Sequence, residues 1–245
     1  MNIAEFCKAF EVTIPRTVRE QPTRRYALRL RIKKLHIEYY LFDPLRDIDG
    51  MISVKKQRLL NLAYAHVAPN EAYLEVGTWL GKSLLAAMQH NIPRPTFACD
   101  DFSEYDYTRG RQVDLETVFR RNLKRHGMDS SATFYNAPFR EILNKERIPI
   151  PVGAYFYDAA HDKESQHRAI QLVEPCLADE ALVIIDDWRF APDSQSYAKI
   201  GTESAIAESR HQWRLLYELP ARFNGDRAMW WNGVAVFAFQ RTVKL

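Results

Sequence analysis

Short apolar runs alternate with longer amphipathic segments from residue 72 to the end of the chain. The apolar runs have the length of buried strands, and the segments between them have the residue spacing of helices. The pattern predicts strands at 72–76, 96–99, 132–135, 154–157, 181–185, 214–219 and 233–240. It predicts helices at 82–90, 115–126, 139–144, 164–177 and 195–208.

This alternation predicts an α/β fold, a Rossmann-like doubly wound sheet of seven strands with helices on both faces. Most strands should be parallel, because helices connect them. Only a loop separates the last two strands, so we expect a hairpin that gives the sheet one antiparallel strand. Residues 1–48 are predicted to form a helical extension or cap, and residues 49–245 the main domain, beginning with a helix capped by Ser53.

Composition narrows the class of protein. The net charge of +3 over 245 residues does not indicate a nucleic-acid-binding protein, because acids balance the bases along most of the chain. The sequence shows no secretory signal and no apolar run of about 18 residues, so we expect a cytoplasmic protein without a membrane span. The exception in charge is a basic run, which is either a solvated helix face or a surface for an acidic partner. It contains Arg24, Arg25, Arg29, Arg31, Lys33 and Lys34.

The first predicted strand runs into a glycine-containing turn with the sequence YLEVGTWLGKS, residues 73–83. In dinucleotide-binding folds the corresponding turn is G-x-G-x-x-G, and its backbone amides bind a pyrophosphate. Here Glu75 stands in the place of the first glycine, and its charge would repel a pyrophosphate. A carboxylate beside Gly77 and Gly81 instead suits a ligand with an adenosine and a cationic amino group, such as S-adenosylmethionine (SAM).

Polar side chains also follow the other early strands. In an open doubly wound sheet, ligands bind beyond the carboxyl ends of the strands, so these side chains should meet in one cleft. The residues concerned are Glu75, Asp100, Asp101, Asn136, Asp158, Asp186 and Asp187. Asp100 is placed to accept ribose hydroxyls or to cap the next turn. Its neighbour Asp101 is a second candidate for cofactor binding, and since adjacent strand residues point to opposite sides, the two are alternatives at this strand end. Asn136 is placed to meet an adenine ring.

Asp158, Asp186 and Asp187 would repel one another at a shared edge unless they are protonated or neutralised by a cation. A hard divalent ion such as Mg²⁺ suits these oxygen ligands, and turn capping is the alternative role. His161 follows Asp158 by three residues. Because imidazole titrates near neutral pH, His161 could take a proton from a hydroxyl, or it could hold the loop in place.

These motifs together resemble a known family. Residues 74–83 resemble motif I of class I SAM-dependent methyltransferases. The segments at 49–53, 158–161 and 184–187 are similar to a bacterial branch that contains macrolide and aminocoumarin-sugar O-methyltransferases and cephalosporin-hydroxylase-like proteins. The resemblance covers roughly residues 48–240 and leaves the basic N-terminal segment outside.

The resemblance implies roles for individual residues. Glu75 would reach the amino group of the SAM methionine, Ser83 its carboxylate, and Asp100 the ribose. Gly77, Thr78 and Gly81 would lie along the amino-acid part of SAM. The catechol-type relatives bind their metal at positions that match Asp158, Asp186 and Asp187, and they carry a lysine base where this chain has His161.

The sequence therefore predicts a SAM-dependent O-methyltransferase, assisted by Mg²⁺, that acts on a small hydroxylated molecule such as a natural product or sugar. We do not expect nucleic acid or a membrane as a partner. A homodimer is an expected oligomeric state, because methyltransferases of this size with an N-terminal cap often form dimers. Two alternatives remain. One is a SAM-binding regulatory or partner protein without transferase activity. The other is a hydroxylase-like relative whose acids bind another metal, such as iron.

Overall fold

The computed structural model describes residues 1–14, 43–103, 114–188 and 196–242. Within them, seven strands form one sheet in the order β3-β2-β1-β4-β5-β7-β6. The strands are β1 (Ala72–Val76), β2 (Thr96–Asp100), β3 (Thr133–Asn136), β4 (Val152–Tyr157), β5 (Leu177–Asp186), β6 (Gln212–Leu219) and β7 (Val234–Gln240). The helices are α1 (Ile3–Thr13), α2 (Val54–Ala65), α3 (Lys82–Met88), α4 (Leu115–Arg125), α5 (Phe139–Ile142), α6 (Lys163–Val173) and α7 (Tyr197–Glu208).

The predicted fold class is confirmed. Strands β1 to β5 pair in parallel, and β7 runs antiparallel to both β5 and β6, which is the expected terminal hairpin. Chain order reverses between β1 and β4, where the sheet turns from β2 and β3 on one side to β5 on the other. At such a switch point, the loops that leave the two strands separate and open a crevice.

The hydrophobic core has two layers, one on each face of the sheet. Along β4, Ala154 and Phe156 point into one layer, and Tyr155 and Tyr157 into the other. All four are fully buried, because helices cover both faces. This two-sided burial explains why the strands are continuous apolar runs rather than alternating ones.

One predicted boundary is wrong. The helix expected to reach residue 177 ends at Val173, and a short 3-10 turn (Glu174–Cys176) leads into β5 at Leu177, four residues before the predicted start at 181. Pro175 stands in this turn and has no amide hydrogen to continue the helical hydrogen bonding. The apolar residues after it therefore extend the strand.

Helix α2 begins as predicted, at the cap of Ser53. The Ser53 hydroxyl oxygen accepts the backbone N–H of Lys56 at 3.1 Å and donates to the carbonyl of Met229 at 2.6 Å. The cap therefore ties the start of α2 to the loop between β6 and β7, and both lie close to the carboxyl ends of the strands.

The described part of the N-terminal extension is α1, which packs on the main core. Phe6 and Phe10 are fully buried, and the Phe10 ring stacks on Tyr217 with centroids 4.1 Å apart and on Trp230 at 6.5 Å. The basic run of the extension lies outside the described residues, and the predicted division between residues 48 and 49 stays a prediction. No helix in the described ranges is long and apolar enough to cross a membrane.

The turn after β1 gives a prediction about stability. Gly77 has φ +87°, and a Cβ there would lie 2.0 Å from the backbone oxygen of Asp158. Gly127 has φ +69°, but a Cβ there would meet nothing within 4 Å. We expect Gly127→Ala to lower the free energy of unfolding by about 1–2 kcal/mol, the cost of a left-handed conformation.

Gly77→Ala should cost at least about 2 kcal/mol more than this control, because the backbone of β4 must also move. Urea-induced unfolding of the two variants measures the difference. Equal losses of stability would show that the close approach of β1 and β4 at this turn does not restrict the side chain at position 77.

Candidate active site

A cleft of about 470 Å³ opens at the carboxyl ends of β1, β2 and β4, on the switch point of the sheet. This volume is in the range of small-molecule sites. Its walls contain residues from the turn after β1, from the ends of β2 and β4, and from the loop after β3. They include Thr78, Ser83, Asp100, Phe139, Asp158 and His161.

Local packing explains why two positions in the turn after β1 are glycines. At Gly77 the absence of a side chain lets the backbone at Asp158 come into contact, and the φ of +87° also favours glycine. Gly81 caps α3 with φ +85°, and a Cβ there would lie 2.9 Å from the side chain of Leu123. The glycines therefore allow the turn to pack closely against its neighbours, in addition to the predicted approach of a ligand.

Glu75 lies fully buried behind the cleft wall. Its carboxylate accepts hydrogen bonds from the Ser83 hydroxyl at 2.6 Å and from the Tyr73 hydroxyl at 3.0 Å. Burial raises the pKa of Glu75 to about 8, against the effect of these two hydrogen bonds, which lower it. Ser83 lines the cleft and connects it to Glu75, while the contacts of both residues with the methionine part of SAM stay predictions.

The Thr78 hydroxyl has a different environment. Thr78 lines the cleft, is only 2% exposed, and its oxygen has no hydrogen-bond partner in the part of the chain that the structure describes. A buried hydroxyl without a partner is costly, so a polar atom of a ligand in the cleft would satisfy it.

Asp100 is held in a fixed orientation at the end of β2. One carboxylate oxygen accepts the backbone N–H of Trp79 at 2.7 Å, and the other accepts that of Phe102 at 2.8 Å. Burial raises its pKa, and the two backbone hydrogen bonds oppose that rise. Each oxygen has a further lone pair, so the carboxylate can still accept hydroxyls from a ligand.

Of the two other polar residues predicted for this end of the cleft, Asp101 lines the cleft and Asn136 does not. The Asp101 carboxylate is exposed and accepts the backbone N–H of Ser103 at 3.0 Å and its hydroxyl at 2.6 Å. Asn136 is exposed, donates to Glu116, and is not among the residues that line the cleft. Pro138 and Phe139, which follow Asn136 in the chain, take that place.

The acidic end of the site combines two of the three predicted metal residues with His161. Ligand atoms of Asp158, His161 and Asp187 all lie within 4.8 Å of one another. The Nε2 atom of His161 is 3.2 Å from a carboxylate oxygen of Asp187, and the His161 side chain is 51% exposed. Asp186 is 2% exposed and forms an ion pair with a lysine of α2, while its side chain also contacts Asp158.

That lysine is Lys56, which sequence reasoning missed. Its side chain is fully buried, and its ammonium group forms an ion pair with Oδ1 of Asp186. A usable signal was present in the sequence, because Lys56 shares a helix face with the apolar residues Leu59, Leu60 and Ala63, all of which are buried. A lysine on such a face needs a buried partner.

A second buried lysine supports the wall of the cleft. Lys82 donates to Asp43 at 2.8 Å and to the carbonyl of Ile48 at 2.9 Å. Its stem packs on Gly50, where a Cβ would lie 2.6 Å away. Lys82 thereby holds the segment before α2, of which Gly50 and Met51 line the cleft.

The carboxylates at the acidic end raise one another's pKa. Burial raises the pKa of Asp158 well above its ordinary value, and the charges of Asp186 and Asp187 raise it further. The pKa of Asp187 is also raised, first by burial and then by Asp186, while His161 and Lys56 oppose the rise. A divalent cation would relieve this repulsion, and two carboxylates with an imidazole form a donor set that such an ion accepts.

Comparison with known proteins agrees with the predicted family. Residues 74–188, just under half of the chain, match a family whose description is a methyltransferase domain. The resemblance to methyltransferases is confirmed for this segment, which runs from β1 through the end of β5. The narrower likeness to the macrolide and aminocoumarin-sugar branch stays a prediction. No curated protein sequence matches the chain significantly.

Solved structures with the same fold include three that cover nearly the whole chain. Cofactor-bound Rv0187 from MTB has a TM-score of 0.58 and 17% identity over 91% of this chain and 99% of its own. The O-methyltransferase TomG from Streptomyces achromogenes, in complex with SAM, has a TM-score of 0.56 and 13% identity over 97% of this chain and 96% of its own. An O-methyltransferase from Bacillus cereus in complex with SAH has a TM-score of 0.54 and 15% identity over 97% of both chains. At these identities the likeness establishes the fold.

The raised pKa of Glu75 predicts how stability depends on pH. Between the ordinary value of 4.5 and about 8, the folded protein keeps a proton on Glu75 that the unfolded chain releases. The free energy of unfolding should therefore fall as the pH rises through this window. Asp158 and Asp187 act in the same direction, so a variant is needed to isolate Glu75.

We expect Glu75→Gln to make this fall shallower, because glutamine does not titrate. Chemical unfolding at several pH values between about 5 and about 8 measures the slope. The exposed Glu141→Gln is the control and should leave the slope unchanged. If Glu75→Gln and wild type have the same slope, Glu75 is not protonated in the folded protein in this range.

Proposed function

We propose that the protein transfers the methyl group of SAM to a hydroxyl oxygen of a small molecule. The observation that carries the proposal is the single cleft that joins the turn after β1 and Asp100 at one end to Asp158 and His161 at the other, with Asp187 beside these two residues. The first end suits an adenosine ligand. The second end suits an acceptor hydroxyl that must lose a proton.

The residues of the first end fit SAM. The Asp100 carboxylate is oriented by two backbone amides and keeps lone pairs for the ribose hydroxyls. The Thr78 hydroxyl is buried without a described partner and can meet a polar atom of the amino-acid part. Glu75 behind Ser83 supplies a carboxylate for the methionine ammonium, whose charge would favour the ionised form.

SAM, when bound, supplies a methyl group on a positively charged sulfur. His161 supplies the base. If Asp187 accepts the Nε2–H of His161, the lone pair lies on Nδ1, and Nδ1 takes the proton of the acceptor hydroxyl. With SAM bound, the deprotonated acceptor oxygen would receive the methyl group, and the products would be a methyl ether and S-adenosylhomocysteine (SAH). Positioning of the two reactants can supply about 7–11 kcal/mol of the barrier reduction.

A divalent cation, Mg²⁺ in our proposal, fits beside Asp158 and Asp187, where it would lower the pKa of the acceptor hydroxyl. These two residues have raised pKa values and lie within reach of one ion. Asp186, the third predicted ligand, is engaged by Lys56. The imidazole in the group also suits iron, as in the hydroxylase-like alternative, so metal analysis of the purified protein separates the two cases.

The acceptor belongs to the class of small hydroxylated molecules. TomG, which shares the fold, is an O-methyltransferase involved in tomaymycin synthesis, and the cleft volume of about 470 Å³ lies in the range of small-molecule sites. The fold likeness and the size of the cleft support a natural product or sugar-like acceptor rather than a macromolecule. A cytoplasmic location and a homodimer complete the proposal.

Binding of the donor is tested by calorimetric titration with SAH. Wild type should bind, and Asp100→Asn should bind about 10–100-fold more weakly, because a hydrogen bond to a charged group contributes about 1.5–3 kcal/mol. Asp179→Asn is the control, since Asp179 is exposed at the far end of β5 and should not affect binding. Equal affinities of wild type and Asp100→Asn would remove Asp100 from the donor site.

Methyl transfer is tested with radiolabelled SAM and a panel of small hydroxylated acceptors, with Mg²⁺ or with EDTA. We expect labelled product with Mg²⁺, and a loss of at least about 100-fold with EDTA or in Asp187→Asn while SAH affinity is retained. Turnover that survives both changes would contradict the role of the metal. SAH binding without transfer to any acceptor would favour the regulatory alternative.

A further inference from the structure

Lys56 is the one cation that the described residues place inside the acidic end of the site, and neither the family match nor the fold likeness gives it a role. Its position is fixed from both ends. The backbone N–H of Lys56 donates to the Ser53 hydroxyl, which itself is anchored on the carbonyl of Met229. Its side chain is completely buried and ends on Asp186.

A buried ion pair is poor evidence for stability alone, because the desolvation of both charges offsets their attraction. What the pair does is fix one atom. Oδ1 of Asp186 accepts the Lys56 ammonium, and the same oxygen accepts the backbone N–H of Asp187 at 2.7 Å. Lys56 thereby fixes the position of the Asp186 oxygen that accepts the backbone N–H of Asp187.

Asp187 has a conformation that needs such support. Its φ is +51°, a left-handed value that is uncommon for residues other than glycine. Such a conformation costs free energy and persists only where the surrounding structure holds it. In this conformation its carboxylate lies 3.2 Å from Nε2 of His161. The Asn232 side chain also contacts the Asp187 carboxylate.

We propose that Lys56 is a positioning residue for methyl transfer. By holding Asp186 it fixes the left-handed turn at Asp187, and Asp187 in turn orients His161 with Nδ1 free toward the acceptor. Lys56 is not among the residues that line the cleft, and it acts on His161 through these two aspartates. This inference rests on the proposed function, in which His161 takes the proton of the acceptor hydroxyl.

Three variants separate positioning from folding. Lys56→Met removes the charge and leaves Asp186 buried without its partner. Lys56→Met with Asp186→Asn removes both charges but keeps the oxygen that accepts the Asp187 N–H, so it removes the ion pair without leaving an unpaired buried charge and remains informative if the single variant does not fold. Lys56→Arg retains a cation and should restore the wild-type behaviour.

The readout is the reactivity of His161 toward diethyl pyrocarbonate, measured by mass spectrometry at about pH 8, where an ordinary imidazole is neutral. The exposed His90 in the same sample is the internal reference. We expect the rate of His161 relative to His90 to fall several-fold in the double variant and to recover in Lys56→Arg. SAH affinity by calorimetry should stay within about twofold, because Asp100 and Thr78 are not altered.

A crystal structure of the double variant provides the geometric test. We expect φ of Asp187 to leave the left-handed region or its contact with His161 to open. An unchanged His161 rate ratio with an intact Asp187–His161 contact would overturn the role of Lys56. Failure of the wild-type protein to bind SAH would instead overturn the proposed function.

Discussion

The repulsion among the carboxylates at the ends of β4 and β5 is the constraint on which the site depends. Asp158, Asp186 and Asp187 lie close together in a partly buried setting, which raises the pKa of Asp158 and Asp187. The protein relieves part of this repulsion with a cation of its own, Lys56, which forms an ion pair with Asp186 and whose charge also opposes the raised pKa of Asp158 and Asp187. Asp158 and Asp187 lie close to His161, so the carboxylate with the direct ion pair differs from the two beside the imidazole.

The same division explains why the cleft has two distinct ends. The turn after β1 packs so tightly on the end of β4 that only glycine fits at position 77, and this contact brings Asp158 next to the donor end. Asp100 completes that end with a carboxylate that backbone amides hold in place. Backbone packing therefore brings the residues proposed for donor binding and those proposed for the acceptor together at the switch point.

Much of the fold and part of the site could be predicted from the sequence. The two-sided burial of β4 gives an apolar run that is legible without a structure, and the ends of such runs located Asp100 and Asp158. What could not be predicted depends on contacts between distant segments. The pairing of Lys56 with Asp186 joins residues 130 positions apart, and sequence spacing carries no record of it. Likewise, nothing local places Asn136 outside the cleft wall.

The account is tested most directly by a crystal structure of the protein with SAH and Mn²⁺. It predicts the ribose hydroxyls on the Asp100 carboxylate, the sulfur of SAH facing the space between Asp158 and His161, and Asp186 still paired with Lys56. A structure with SAH bound away from Asp100, or with its sulfur directed away from His161, would contradict it.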